Sequence, residues 1–378
     1  MNIREIDAKN KMEVLQFIRF PFRIYANCKQ WIPPLEMDIK KMLDRDRHPF
    51  YLESDAAFFM AFNDKEVPVG RIAILENKRY NQYNESQFAF FYLFDVIDDF
   101  EVAKKLFMRV EEWAKQRGLK ILLGPKGFSA LNGLGMLVKG FEYPPALGIP
   151  YNHDYYPDFM DKMGFEPSRD ILSGFMDRSF ILPEKVSLIA EKVREKRGLV
   201  VRRFMNRRDL RKMLPFLRDL YNGSLVGTSG NAPLTEDEIQ EMADQILWFA
   251  NPRLIKVLMK EDKPVGFLLA YPDISEALKR TGGRIWPFGW VRILSELRKT
   301  KWININGAGI LEEYRGMGGT AVLFDEMAKS VLEADYEYAD LVQIGVENER
   351  MQRELSSFGI NFYKAHRIYQ REINYDEK

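Results

Sequence analysis

Two copies of one tripeptide limit what this chain can fold into. Pro68-Val69-Gly70 and Pro264-Val265-Gly266 each follow a turn of mixed charge, and they lie 196 residues apart. Gly164 and Gly359 each close a late helical stretch, 195 residues apart. Between these anchors the spacing widens, since Leu106-Phe107 and Leu323-Phe324 are 217 apart. A spacing kept at both ends and stretched in the middle is expected of a duplication whose loops have diverged. The second half then carries an insertion over 274–301, and the first a compensating one over 127–155.

Each half reads as strand, helix pair, hairpin, strand, helix, strand, helix, strand. Phe88 to Phe94 is nearly continuous in apolar residues and reads as a central strand. Val102, Leu106, Val110 and Trp113 fall at helical spacing, with Gly118 as the stop signal. The spacing predicts a helix over 9–28 broken near Pro21, and a single helix over 208–221. Thr235-x-x-Glu238 is a capping box. The fold class expected is α/β (α+β), in two domains, 1–182 and 183–378, with the join in the charged, helix-prone stretch from Pro183 to Arg197.

Composition narrows the function classes. A net charge of +1 over 378 residues gives no global electrostatic case for nucleic acid. One cysteine, Cys28, excludes an intrachain disulfide and fits a reducing compartment, so cytoplasm is expected. His48, His153 and His366 have no ligand-like spacing, and no metal site is expected. The apolar runs are far too short to cross a bilayer, so an integral membrane protein is not expected either.

The stretch Ile310 to Ala328 carries the chemistry. A β-prone run ending at Leu311 feeds a loop containing Arg315, Gly316, Met317, Gly318, Gly319 and Thr320, which becomes an amphipathic helix. Unpaired amides at a helix start suit a phosphate, and glycines let the backbone approach it. The loop lacks the Gly-Lys-Ser/Thr ending of a Walker loop and the Gly-x-Gly-x-x-Gly of a dinucleotide site. Arg315-x-x-Gly318-x-Thr320 resembles instead the acyl-CoA loop of the GCN5-related N-acetyltransferases (GNAT), although Thr320 stands where that family prefers a smaller residue. Val346-Glu347-Asn348 and the later Phe358-Gly359 look like another of its segments. The ending Tyr363-Lys364-x-x-Arg367-x-Tyr369 is similar to that of tandem-domain members.

The resemblance implies two acyl-CoA N-acyltransferase-like domains, each a mixed, mostly antiparallel twisted sheet flanked by helices. It implies that Gly309, Ile310 and Leu311 pair with the pantetheine arm of acetyl-CoA or another acyl-CoA. The pyrophosphate would rest on amides from Gly316 to Thr320 with Arg315 beside it, and Asn348 would bond the pantetheine, cap the following helix, or do both. In the first half the 217-residue offset sets Asp98, Glu101 and Ala103 opposite Arg315, Gly318 and Thr320, and those carboxylates would repel a diphosphate. The first half is therefore expected to be degenerate and not to bind CoA.

Catalysis is less legible. Acyl transfer to an amine needs a base for the ammonium and an acid for the departing thiolate. The family's usual tyrosine acid falls here on Leu355, which leaves Tyr363 as the first candidate and Ser356 as the second. Glu313, at the end of the fourth strand, is the candidate base, and Asn304 and Asn306 alternate on that strand as pocket residues. No nucleophile–histidine set is visible, so direct transfer in a ternary complex to a small-molecule or peptide amine is expected. Trp286-Pro-Phe-Gly-Trp290 followed by Arg292 places aromatics beside cations, which suits a membrane surface, an acidic ligand or inter-domain packing. The other classes carried forward are a GNAT-fold scaffold without chemistry and an aminoacyl transferase of the Fem type. A homodimer is compatible with the sequence.

Overall fold

A computed structural model describes residues 1–129, 132–177, 179–224 and 232–375. The chain groups into two compact units, the first made of Met1–Leu172, Ser275–Arg292 and Lys364–Lys378, the second of Ser173–Ile274 and Ile293–Tyr363. The division by repeat, 1–182 and 183–378, is kept as a proposal about descent.

The first series of elements runs β1 (Asn2–Glu5), α1 (Lys11–Ile24), α2 (Glu36–Leu43), β2 (Asp55–Phe62), β3 (Pro68–Glu76), α3 (Lys78–Tyr83) and β4 (Phe88–Val96). It continues through α4 (Phe100–Lys115), β5 (Ile121–Gly124), β6 (Met136–Lys139), α5 (Tyr155–Lys162) and β7 (Glu166–Met176). The second series begins with α6 (Glu184–Arg197), β8 (Leu199–Arg202), α7 (Arg207–Arg211), α8 (Leu214–Ser224), α9 (Glu236–Phe249), β9 (Ile255–Lys260) and β10 (Lys263–Pro272). After α10 (Ser275–Thr281) and α11 (Gly289–Lys299) come β11 (Trp302–Ile310), α12 (Gly319–Glu333), β12 (Tyr338–Gly345), α13 (Glu349–Ser357) and β13 (Asn361–Glu372).

In the first unit the strand order is β1-β2-β3-β4-β5-β13, with β6 also paired to β13. All these pairs are antiparallel except β4 with β5. In the second unit the order is β8-β9-β10-β11-β12, and β11 with β12 is the parallel pair. The two repeats are therefore built alike. In the first, α4 packs on one sheet face, burying Val102, Leu106, Phe107 and Val110 against Ile72, Ala89 and Phe91. In the second, α12 buries Val322, Leu323 and Met327 against Leu268, Ile303 and Ile305.

The repeated tripeptide has a structural reason. In each repeat its valine is the extra residue of a β-bulge: Ala61 pairs with Gly70 and Phe62 with Pro68, while Leu258 pairs with Gly266 and Met259 with Pro264. Both valines are buried. Each offers its carbonyl to the first amide beyond the fourth strand, Ile97 N to Val69 O at 3.1 Å and Leu311 N to Val265 O at 2.9 Å. The glycine that follows admits close packing, since a Cβ on Gly70 would sit 2.7 Å from Leu106 Cδ1.

Several expectations need correction. Pro21 does not break α1, which runs through it. The donor that proline lacks is replaced: Arg71 Nη1 donates to Phe17 O at 2.7 Å, the carbonyl one turn earlier. The stretch 208–221 is two helices, α7 and α8, because Pro215 suits the first turn of a new helix and not the middle of an old one. The two insertions are structured, one holding β6 and the other α10 and α11. The C-terminal Lys364-x-x-Arg367 pattern works inside the first unit, with Lys364 Nζ donating to Pro144 O at 2.9 Å and Arg367 holding Asp170 through two bonds of 2.7 and 3.0 Å.

Arg71 also pairs with Asp95, Nε to Oδ2 at 2.8 Å, both side chains buried. Replacing Asp95 by alanine strands that guanidinium and should lower unfolding stability by about 3–5 kcal/mol in a urea titration. His366 is buried, bonded at 3.0 Å to Pro150 O, and burial pushes its imidazole down to about 4. The unfolded chain takes a proton that the folded chain refuses, so stability should fall as pH drops from 6.5 towards 4. The loss should reach roughly 3 kcal/mol, and the His366→Gln variant should lack that part of the pH slope.

Candidate functional site

The second unit's fourth strand opens a fork. The parallel ladder of β11 with β12 runs from Trp302↔Tyr338 to Ile305↔Leu341 and stops, although β11 continues to Ile310 and β12 to Gly345. On its other side β11 stays paired with β10 as far as Ile310↔Gly266. A bulge lies at the branch point, where Asn306 and Gly307 both face Leu269 and Gly307 has φ +108°. Gly309 and Ile310 thus present one backbone edge to the opening between the strands, as a pantetheine arm would require.

Beyond Leu311 a short turn, Glu312–Tyr314, leads to Gly316 and Gly318, both at φ +80°, and Gly318 is the residue preceding α12. Among the described residues no hydrogen bond is made by the amides of Gly318, Gly319 and Thr320. These are donors at the positive end of a fifteen-residue helix. Arg315 is not the cation at the mouth that its position suggested. It turns inward, with Nε on Ile310 O at 3.1 Å and Nη2 on Ser224 O at 2.9 Å, and so ties the loop to β11 and α8. A cation beside the loop is Arg197, exposed at the end of α6, whose Nη1 reaches Gly316 O at 3.5 Å. It was missed because it lies 119 residues away in sequence.

The other expected residues are dispersed. Glu313 is exposed and paired with Lys263 at 2.7 Å, a solvated surface contact that gives it no hold on a substrate proton. Ser356 is exposed on α13, and Leu355 is buried in the core. Asn348 caps α13, its side-chain oxygen accepting Met351 N at 3.1 Å, and Met317 packs partly buried against the second unit's core.

Tyr363, half-buried, sits in a polar band whose centre, Asn304 and Asp340, is buried and which was only partly foreseen. Its hydroxyl donates to Asp340 Oδ2 at 2.8 Å. Asp340 pairs in register with Asn304, which donates to Asp273 Oδ2 at 2.8 Å. Asn306 donates to the Tyr271 hydroxyl at 3.3 Å, and burial pushes that phenol up to about 12. Strand alternation sets Trp302, Asn304 and Asn306 on the face opposite Ile303 and Ile305, which pack in the core with α12. Trp302, Tyr338 and Phe175 stack along the same face, with Trp302 and Tyr338 ring centres 4.8 Å apart. The band lies one step from where the strands separate. The signal for Asp340 was a carboxylate inside an otherwise apolar strand.

The first unit's counterpart is filled by the chain itself. Its parallel ladder ends at Phe90↔Leu123, and Phe91 O accepts Lys126 N at 2.9 Å. At the end of β4, Val96 O accepts the hydroxyls of Tyr155 (2.7 Å) and Tyr156 (3.1 Å). Asp99 caps α4 by accepting Glu101 N at 2.9 Å.

No protein-family model matches the chain. It is similar to protein YghO of Escherichia coli (strain K12), 26% identical over 373 residues that span 96% of this chain and 94% of that protein. It is also similar to the bacterial ceramide synthase of Caulobacter vibrioides, 25% identical over 378 residues, 97% of each. Among solved structures it superposes on a tandem GNAT protein from the clavulanic acid biosynthesis pathway, TM-score 0.58, 10% identity, 100% of this chain and 99% of that one. A GCN5-related N-acetyltransferase from Sphaerobacter thermophilus gives TM-score 0.52, 14% identity, with 99% and 96% covered. At such identities the superpositions speak for the fold. The chain has the tandem GNAT fold that its loop motif and repeat indicated.

Proposed function

We propose that this protein is an acyl-CoA-dependent N-acyltransferase whose second repeat binds the CoA. The observation that carries the reading is the open fork, where β11 runs past its parallel partner towards the amides of Gly318, Gly319 and Thr320, which make no hydrogen bond among the described residues. In this reading the diphosphate rests on Gly318, Gly319 and Thr320 beside Arg197, and the arm runs along Gly309 and Ile310. Arg315, Gly316 and Met317 shape the loop, while Asn348 has only its side-chain amide free of the cap bond. The filled first repeat leaves CoA to the second. A single cysteine fits a reducing compartment such as the cytoplasm, and no described helix is long and apolar enough to cross a membrane.

The polar band then serves the transfer. Asp340 takes a proton from the acceptor's ammonium, and the free amine attacks the thioester carbonyl. Asp340 passes that first proton to solvent and takes the second from the nitrogen as the amide forms. As the carbon–sulfur bond breaks, Tyr363 protonates the thiolate and regains its proton from Asp340, so one proton is released per turnover and no acyl-enzyme forms. A ceramide is an N-acylated long-chain amino alcohol. The name of the Caulobacter relative therefore makes that amine class, with a long-chain acyl-CoA, the pair to assay before acetyl-CoA.

A substitution at Gly318 would be ambiguous, because a Cβ there would meet Val193 Cγ2 at 2.6 Å. Thr320→Asp is cleaner: a carboxylate in the first turn favours the helix dipole yet repels a diphosphate. Calorimetry should show CoA affinity at least a hundredfold weaker with the melting temperature unchanged or raised, and unaltered affinity would refute the loop. Tyr363→Phe should leave CoA affinity intact and lower kcat about a hundredfold or more. Asp340→Asn should do the same, whereas a protein that binds CoA and turns over no amine would point to a scaffold.

A further inference from the structure

The most exposed aromatic side chains of the first unit lie together, between α10 and the first turn of α11. Trp286 is 78% exposed and Phe288 74%, with Trp290 and Val291 at 43% and 47%. No aspartate or glutamate occurs from Ala277 to Ser295, whereas Lys279, Arg280, Arg284 and Arg292 all do. We propose that this segment is a membrane-docking surface that seats the protein on a bilayer rich in anionic lipid.

The display is built into the backbone and is not a frayed loop. Gly283, at φ +69°, donates to Leu278 O at 3.0 Å and accepts Glu36 N at 3.0 Å, and a Cβ on it would lie 2.0 Å from Pro34 O. A Cβ on Gly289 would lie 1.9 Å from Arg284 O. Trp290 N donates to Ile285 O at 2.9 Å, its indole nitrogen to Pro287 O at 3.1 Å, and Arg292 Nη1 to Arg280 O at 2.9 Å. These bonds hold the segment while Trp286 and Phe288 stay in solvent.

The chemistry selects one occupant. Indole and phenyl rings favour the headgroup boundary, where an apolar body and a polar surround are both accommodated. Lys279 is paired with Glu276 at 3.5 Å, and the exposed Arg280, Arg284 and Arg292, with no carboxylate between them in sequence, match the negative potential of an anionic leaflet. The proposal is independent of the acyl-transfer reading, since it concerns residues outside the fork and the polar band.

The test is co-sedimentation of the full chain with vesicles of phosphatidylcholine alone or with three parts in ten of phosphatidylglycerol. Binding should require phosphatidylglycerol and weaken with salt. The Trp286→Ser/Phe288→Ser double variant should partition at least tenfold less, and Arg284→Glu about fivefold less or more. Met12→Ser, at an equally exposed apolar site on α1, should bind as the parent does. Melting curves establish that each variant is folded. Independently, brominated phosphatidylglycerol should quench the parent's tryptophan emission and quench that of Trp286→Phe less. Equal partition into both vesicle types, undiminished binding by the folded double variant, or a double variant that changes only the protein's own oligomeric state would overturn the proposal.

Discussion

One backbone hydrogen bond, made twice, sets where each fourth strand ends. The carbonyls of Val69 and Val265 are turned out of register by a bulge and take the amides of Ile97 and Leu311. A bulge leaves one residue outside the ladder, and its carbonyl needs a donor from elsewhere. Meeting that need from the residue just past the strand fixes the point at which the chain leaves the sheet. The same separation, 214 residues, relates Leu93 at φ +48° to Gly307 at φ +108°. Strand four thus carries its own bulge at the same place in both repeats.

From that anchor the repeats part company. Two residues separate Ile97 from α4, and seven separate Leu311 from α12. The 217-residue offset that fits the helices therefore does not hold across the loop, and residue-by-residue matching of Asp98 with Arg315 has no structural meaning. The short connection leaves no room for a nest of amides, and its asparate cap uses the helix start for itself. The longer one spends its extra residues on two left-handed glycines and an inward arginine. The different helix starts thus follow from loop length, while the anchor is common to both.

The elements legible in the sequence were those encoded locally. The Thr235–Glu238 capping box is present, with Thr235 N to Glu238 Oε2 at 2.9 Å. Gly118, Gly164 and Gly359 follow their helices at positive φ. The fold class followed from element order for the same reason. What stayed hidden depends on residues far apart in the chain. Pro21 reads as a breaker until Arg71 is seen to supply the missing donor. Arg315 reads as a free cation until the carbonyls of Ile310 and Ser224 surround it. Asp340 shows locally only as a carboxylate in a largely apolar strand, and Arg197 not at all, because their meaning lies in the strand register and in the packing of α6.

The polar band is the feature that the fold by itself does not require. At the separation that relates the fourth strands, Trp302, Asn304 and Asn306 correspond to Phe88, Phe90 and Tyr92. Register sets Asp340 of β12 where the first repeat has Leu123. The first repeat makes the same sheet with an aromatic and aliphatic face at those positions. Burying a carboxylate and an amide, Asp340 and Asn304, costs free energy unless each finds partners, and an apolar face of equal volume would avoid that cost. The second repeat offsets it with separate bonds, Tyr363 to Asp340 and Asn304 to Asp273, beside the half-buried pair of Asn306 and Tyr271. The twin also buries a carboxylate on its fourth strand, Asp95, but pairs it with Arg71 as an internal ion pair, whereas the second repeat places its polar groups beside an open fork. A reaction that moves protons at the fork would account for both differences together.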